Sequence, residues 1–138
     1  MTWPADKAAG EIAEIALRRW FDCLGFPTEG APGKFAAWDF YVRGSVEVKR
    51  DRQAAKTGNF FLEQFAYGKP SGITSTRATA WALVSGHTAY FVGTEKIKVL
   101  LDSLRPVEGP DGKKGVLLPL TTLRALPHVE VDLSEWIE

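Results

Sequence analysis

Cysteine is almost missing from this chain. The single residue, Cys23, has no partner for an internal disulfide, which excludes a small secreted fold held by bridges and suits a reducing compartment. Long apolar runs are missing too, and none approaches the ~20 residues that a membrane-spanning helix needs. The first residues, Met1-Thr2-Trp3-Pro4-Ala5-Asp6-Lys7, lack the basic-then-apolar order of a secretory leader. These absences lead to the expectation of a cytoplasmic protein with no membrane partner. Histidine is scarce: His87 and His128 lie far apart, without cysteines or carboxylates at zinc-ligand spacing, so no zinc site is expected. Net charge is zero, since 17 Lys+Arg meet 17 Asp+Glu. No global electrostatic footprint for a polyanion exists.

What is present is an ordinary globular composition. The 138 residues are 45% hydrophobic and 25% charged, which fits one domain spanning residues 1–138. The distribution of charge carries more than its sum. Residues 1–42 hold 4 basic and 6 acidic residues, and residues 78–138 hold 6 and 8. Residues 43–77 hold 7 and 3. The middle of the chain is a basic island of net +4, suited to a polyanionic partner.

A helical period runs from Asp6 to Leu24. Ile12, Ala13, Ala16, Leu17, Trp20, Cys23 and Leu24 make one apolar stripe, with Asp6 as a candidate N-cap and Gly25 as a stop. Strands are expected at Trp38–Val42, Val46–Lys49, Asn59–Phe65 and Ala89–Val92, with a further strand at Val116–Leu118. Helices are expected from Ser75 or Thr76 to Leu83 and from Thr94 to Leu104, with Arg105–Gly115 as loop. The alternation of types argues for an α/β fold, a mixed sheet with helices on its faces.

Asp39, Glu47 and Lys49 are the residues that suggest chemistry. Side chains alternate along a strand, so Glu47 and Lys49 share a face while Val46 and Val48 point the other way, toward a core. If Arg43-Gly44-Ser45 closes a three-residue hairpin, Asp39 falls opposite Lys49 on the same charged face. Carboxylate oxygens suit Mg²⁺, and a lysine beside them can stabilise charge on a phosphate. On the preceding helix, Glu14 lies at the margin of the apolar stripe and Glu11 faces water, so Glu14 is the better placed to reach a sheet edge.

The pattern Asp39-x7-Glu47-x-Lys49, preceded by Gly10-Glu11-Ile12-Ala13-Glu14, resembles the PD-(D/E)xK nuclease superfamily, the restriction-endonuclease-like fold. The similarity continues through Thr57-Gly58-Asn59-Phe60-Phe61-Leu62-Glu63, Ser71-Gly72-Ile73 and Ala78-Thr79-Ala80-Trp81, and looks most like small phage-associated nucleases. It covers roughly residues 10 to 93. Two positions depart from it: Trp38 stands in place of the proline before the first acid, and Thr79 in place of an acidic residue. The resemblance implies a restriction-endonuclease-like mixed sheet flanked by helices. It also implies a Mg²⁺-dependent DNA endonuclease, with Mn²⁺ as a substitute metal, in a phage or prophage protein within a bacterial host. Asp39, Glu47 and Glu14 would bind metal, and Lys49 would assist hydrolysis of a phosphodiester. Arg50, Arg52, Lys56, Lys69 and Arg77 would track DNA phosphates. Glu63 reads as a surface position more than a ligand neighbour, and Gln64 falls on the opposite face of its strand. Two alternatives remain open: a Holliday-junction resolvase acting as a homodimer, and a non-catalytic DNA-binding module on the same fold. Cys23 is expected in the core, and Trp3 and Trp136 at pinned ends or a dimer surface.

Overall fold

The computed structural model describes residues 3–31 and 38–137. Helix α1 (Trp3–Cys23) leads into β1 (Thr28–Gly30), β2 (Phe40–Val42), β3 (Val46–Arg50) and the short α2 (Ala54–Thr57). Then come β4 (Asn59–Ala66), β5 (Lys69–Pro70), β6 (Ala80–Ser85), β7 (Thr88–Gly93) and α3 (Thr94–Lys98). The chain ends with β8 (Arg105–Glu108), β9 (Lys113–Pro119), α4 (Leu120–Arg124) and β10 (His128–Asp132). The fold is mixed α/β. One four-stranded sheet has the order β10-β7-β6-β3, a second has the order β5-β4-β9-β8, and β1 pairs with β2 alone. Among the described residues no helix is long and apolar enough to cross a membrane. The segment 32–37 lies outside the described residues.

The two larger sheets enclose one core. Phe60 and Leu62 of β4 and Val116 and Leu118 of β9 meet Trp81 and Leu83 of β6 and Tyr90 and Val92 of β7, with Ile73, Ile97 and Leu123 closing the ends. Strand alternation explains the choice: residues two apart point the same way, so Phe60 and Leu62 go inward while Phe61 and Glu63 go outward. Strand β6 is buried along both faces, from Ala80 to Val84.

That double burial corrects the helix expected through Ala78, Ala80, Trp81 and Leu83. Alanine and leucine favour helix in isolation, but a short continuous apolar run also fits a strand covered on both faces. Here it sits between β3, parallel to it, and β7, antiparallel to it. The helix expected from Thr94 to Leu104 is a single turn, α3, followed by a 3₁₀ turn at Leu101–Ser103. Strand β8 occupies the expected loop. Its Pro106 is tolerated because β8 is an edge strand.

The expected hairpin between residues 38–42 and 46–49 does not form. Strand β2 pairs with β1 in the register Thr28↔Val42, Glu29↔Tyr41 and Gly30↔Phe40. Strand β3 pairs with β6, with Glu47 opposite Trp81 and Lys49 opposite Leu83. The connection stays extended because its polar groups are engaged elsewhere. Arg43 N–H donates to the Pro27 carbonyl (3.1 Å), and the Thr79 and Ala80 N–H groups donate to the Ser45 carbonyl (3.0 and 3.1 Å). Ser45 N–H donates to Thr79 Oγ1 at 3.0 Å. Gly44 lies so close to the Phe26 ring that a Cβ would collide with it.

As an edge strand, β3 carries Val46 and Val48 into solvent, Val48 being 63% exposed, and not into the core as expected. The α1 stripe is likewise open: Ile12 is 68% exposed, Leu17 and Trp20 are exposed, and Cys23 is exposed where a core position was expected. Only Leu24, at the end of the stripe, is buried. Gly25 does end the helix, with a φ of 90° and its N–H on the Asp22 carbonyl. The helix begins at Trp3, so Asp6 lies within it and is not its N-cap.

The contrast between core and stripe is measurable. Leu62→Ala is expected to lower the unfolding free energy by about 2–5 kcal/mol. Ile12→Ala should cost under ~1 kcal/mol. Urea denaturation of the two variants checks this, and equal costs would place α1 on the core.

Candidate functional site

Residue alternation sets the site. On β3, Glu47 and Lys49 share a face, and Lys49 Nζ lies 3.4 Å from Glu47 Oε1. On β4, Phe61 and Glu63 turn away from the core. Lys113, from β9, places its Nζ 3.6 Å from Glu63 Oε1. Glu47, Lys49 and Glu63 line one cleft of about 410 Å³, closed by Gly72 and by Ser75, Thr76 and Arg77. Lys49, Glu63 and Gly72 also line a second cleft of about 610 Å³, bordered by Arg50, Arg52 and Lys113. The two clefts meet at Lys49 and Glu63.

Two local features hold this junction. Gly72 has a φ of 51°, the left-handed region that glycine enters at least cost, and a Cβ there would collide with the Glu63 backbone. Only glycine lets the 3₁₀ turn Gly72–Thr74 sit that close to β4. Beside it, Ser71 N–H donates to the Gln64 carbonyl at 2.8 Å, and its buried hydroxyl finds no partner among the described residues. The second feature is Asp51, which follows β3. Its Oδ1 accepts from Gln53 and Ala54 N–H (2.8 and 3.2 Å), and its Oδ2 accepts from Phe61 N–H at 2.9 Å. Asp51 N–H continues the β3–β6 ladder to the Val84 carbonyl at 2.9 Å. One carboxylate thus joins the end of β3, the start of α2 and the outward face of β4.

The expected site residues divide between two places. Glu47, Lys49 and Arg77 share the first cleft, and Arg50 and Arg52 border the second. Glu14 and Asp39 line neither. Glu14 is ion-paired on α1 with Arg18 (3.8 Å). Arg18 in turn donates to Thr28 Oγ1 (3.1 Å) and lies over the Phe40 ring. Asp39 is exposed before β2, and its carbonyl accepts from Ala31 N–H at 3.1 Å. Lys56 on α2 and Lys69 on β5 are exposed and border neither cleft. Among the described residues, no three His, Cys, Asp or Glu side chains are grouped to hold a metal ion.

Glu63, Asp51 and Lys113 are functional candidates that sequence reasoning undervalues. Glu63 has a usable signal, since alternation from Phe60 and Leu62 fixes its outward direction. Lys113 has none, because its strand reads as loop. Gln64 lines a separate groove with Phe65, Pro106 and Val107.

A second polar cluster lies away from the clefts. Arg124 donates to Glu130 Oε1 at 2.8 Å, and His128 Nε2 is 3.1 Å from Glu130 Oε2. These hydrogen bonds, Arg124's first, hold the Glu130 carboxyl below its ordinary range, while Glu130 raises Arg124. The hydrogen bonds of Ser134 lower Asp132. The group pins β10 to α4 and shares no residue with either cleft.

Asp51→Ala leaves three backbone donors without their acceptor, at a cost of about 1–3 kcal/mol for each one that water cannot reach. A drop of at least ~2 kcal/mol in unfolding free energy is expected by urea titration. Amide exchange at Phe61 should quicken by more than the global drop requires. An unchanged exchange rate at Phe61 would show that the carboxylate does not tie β3 to β4.

Comparison with family models, with curated proteins and with solved structures found no match. The cleft residues and the sequence motif therefore carry the functional reading between them.

Proposed function

We propose that this chain is a metal-dependent DNA endonuclease that hydrolyses phosphodiester bonds at the cleft formed by Glu47, Lys49 and Glu63. The observation that carries the reading is the meeting of two carboxylates and a lysine in one cleft, on strands joined by Asp51, within a rim of arginines and lysines. The motif similarity to PD-(D/E)xK nucleases supports it at the shared residues Glu47 and Lys49. The restriction-endonuclease-like assignment rests on the motif: two four-stranded sheets around one core stand where a single mixed sheet flanked by helices was expected.

The donor set fits Mg²⁺ or Mn²⁺. Both cleft carboxylates offer hard oxygens, and Mg²⁺ is commonly held by one or two carboxylates together with substrate phosphate. Glu47 and Glu63 would hold it from the cleft; Asp39 and Glu14, the further ligands that the motif implies, line neither cleft. Such an ion lowers the pKa of a water and offsets charge on the phosphate. Lys49 does two jobs. It steadies the Glu47 carboxylate at 3.4 Å, and it presents a positive point charge where a phosphate oxygen gains negative charge. Arg77 at one end and Arg50 and Arg52 at the other give the flanking phosphates partners. Lys56 and Lys69 contribute only to the wider positive field.

A junction-resolving homodimer is the second reading. The exposed stripe Ile12, Leu17 and Trp20 favours it, because such a stripe suits a helix–helix interface between copies.

The test is cleavage of labelled duplex, flap, junction and single-stranded DNA in Mg²⁺, Mn²⁺ or EDTA. Cleavage is expected only with metal. Removing a group that stabilises the transition state costs about 100-fold or more. Losses of that order are expected for Glu47→Ala, Lys49→Ala and Glu63→Ala, and no such loss for Asp39→Ala, which lines neither cleft. Full activity in EDTA or in Glu47→Ala would overturn the reading. DNA binding without cleavage under every condition would favour the non-catalytic module.

A further inference from the structure

The larger cleft contains more than a phosphate path requires. Its rim is basic, but its floor is apolar, formed by Phe61 and Leu117, and polar side chains such as Asn59 stand beside it. Phe61 is outside the hydrophobic core, although its neighbours Phe60 and Leu62 are in it. It is half-buried and held in place. A Cβ at Gly109 would come within 2.8 Å of its ring, and one at Gly115 within 2.9 Å, so these two glycines give the ring a close-fitting seat. Asp51 fixes its backbone. A fixed aromatic ring on the floor of a cationic cleft is the arrangement that binds bases by stacking and backbone by charge. The cleft volume of about 610 Å³ lies within the range of small-molecule sites.

Position supplies the rest. Phe61 and Glu63 lie on one face of β4, two residues and so roughly 7 Å apart, the span of a single nucleotide. A phosphate at Lys49 and Glu63 would leave the adjoining base over Phe61. Duplex DNA keeps its bases paired and stacked, and cannot place one there without unpairing it.

We infer that the cleft floored by Phe61 is a subsite for one unpaired nucleotide beside the phosphate position, and that the enzyme acts on DNA with single-stranded character. This rests on the nuclease reading for the phosphate position, and its test is independent of cleavage.

The experiment is fluorescence anisotropy in EDTA, with three probes: an eight-nucleotide thymidine strand, an abasic strand of equal length, and a blunt duplex. The thymidine strand is expected to bind about tenfold more tightly than the other two, since one stacked base is worth on the order of tenfold. Phe61→Leu, with its fold checked by circular dichroism, should remove that advantage and leave duplex affinity unchanged. Equal binding of thymidine and abasic strands by the wild-type protein would overturn the subsite, whatever the variant does. If the strand advantage holds and no DNA is cleaved with Mg²⁺ or Mn²⁺, the subsite stands and the nuclease reading fails. If DNA is cleaved and the strand advantage is absent, the nuclease reading stands and the subsite fails.

Discussion

The Asp51 carboxylate is the constraint on which the site depends. Strands β3 and β4 belong to different sheets, and nothing in strand pairing alone would align their outward faces. Asp51 accepts three backbone N–H groups, two at the start of α2 and one at Phe61. A carboxylate can accept this many because it carries about four lone-pair positions, and bonds to an ionised acceptor are roughly twice as strong as neutral ones. The result is a fixed offset between Lys49, two residues before it, and the Phe61–Glu63 face. Gly72 completes the arrangement from the other side by letting its turn approach Glu63 without a Cβ in the way.

The position of the site at an edge strand has an electrostatic consequence. Carboxylates repel a polyanion, so on the proposed nuclease reading Glu47 and Glu63 need neighbouring cations for DNA to approach. Each has a lysine within 4 Å, and Arg50, Arg52 and Arg77 lie along the two clefts. The balanced net charge of the chain conceals this segregation. The basic island of residues 43–77 supplies most of the cations, and Lys113 reaches in from outside it.

How far each element is legible in the sequence follows from its physics. Strand β4 is readable because its residues alternate where one face is covered, and β7 because aromatic and β-branched residues fill its short run. Helix α1 is readable from its 3.6-residue period, although the burial of its stripe is not, since periodicity describes a face and not what covers it. Strand β6 misleads because Ala-Trp-Ala-Leu satisfies both a helix and a fully buried strand, and only the neighbours decide. The segment Arg43-Gly44-Ser45 misleads because its length permits a hairpin, while the polar groups that capture it, the Pro27 carbonyl and Thr79 Oγ1, are distant in sequence. Glu47 and Lys49 can be found because two residues on one strand need no long-range information. The partnership of Glu63 with them needs the alignment of two sheets, which no local pattern encodes. Asp39 and Glu14 stand apart from that cleft, on the α1–β1–β2 portion of the chain.

The central claim is that a divalent cation is held in the cleft between Glu47 and Glu63. Paramagnetic broadening of backbone amide signals by Mn²⁺ tests it most directly. The account predicts that substoichiometric Mn²⁺ broadens Glu47, Val48, Leu62, Glu63 and Gly72 first, and that Glu63→Ala weakens the effect. Broadening confined to the surroundings of Glu14 and Asp39, with the β3 and β4 signals untouched, would contradict it.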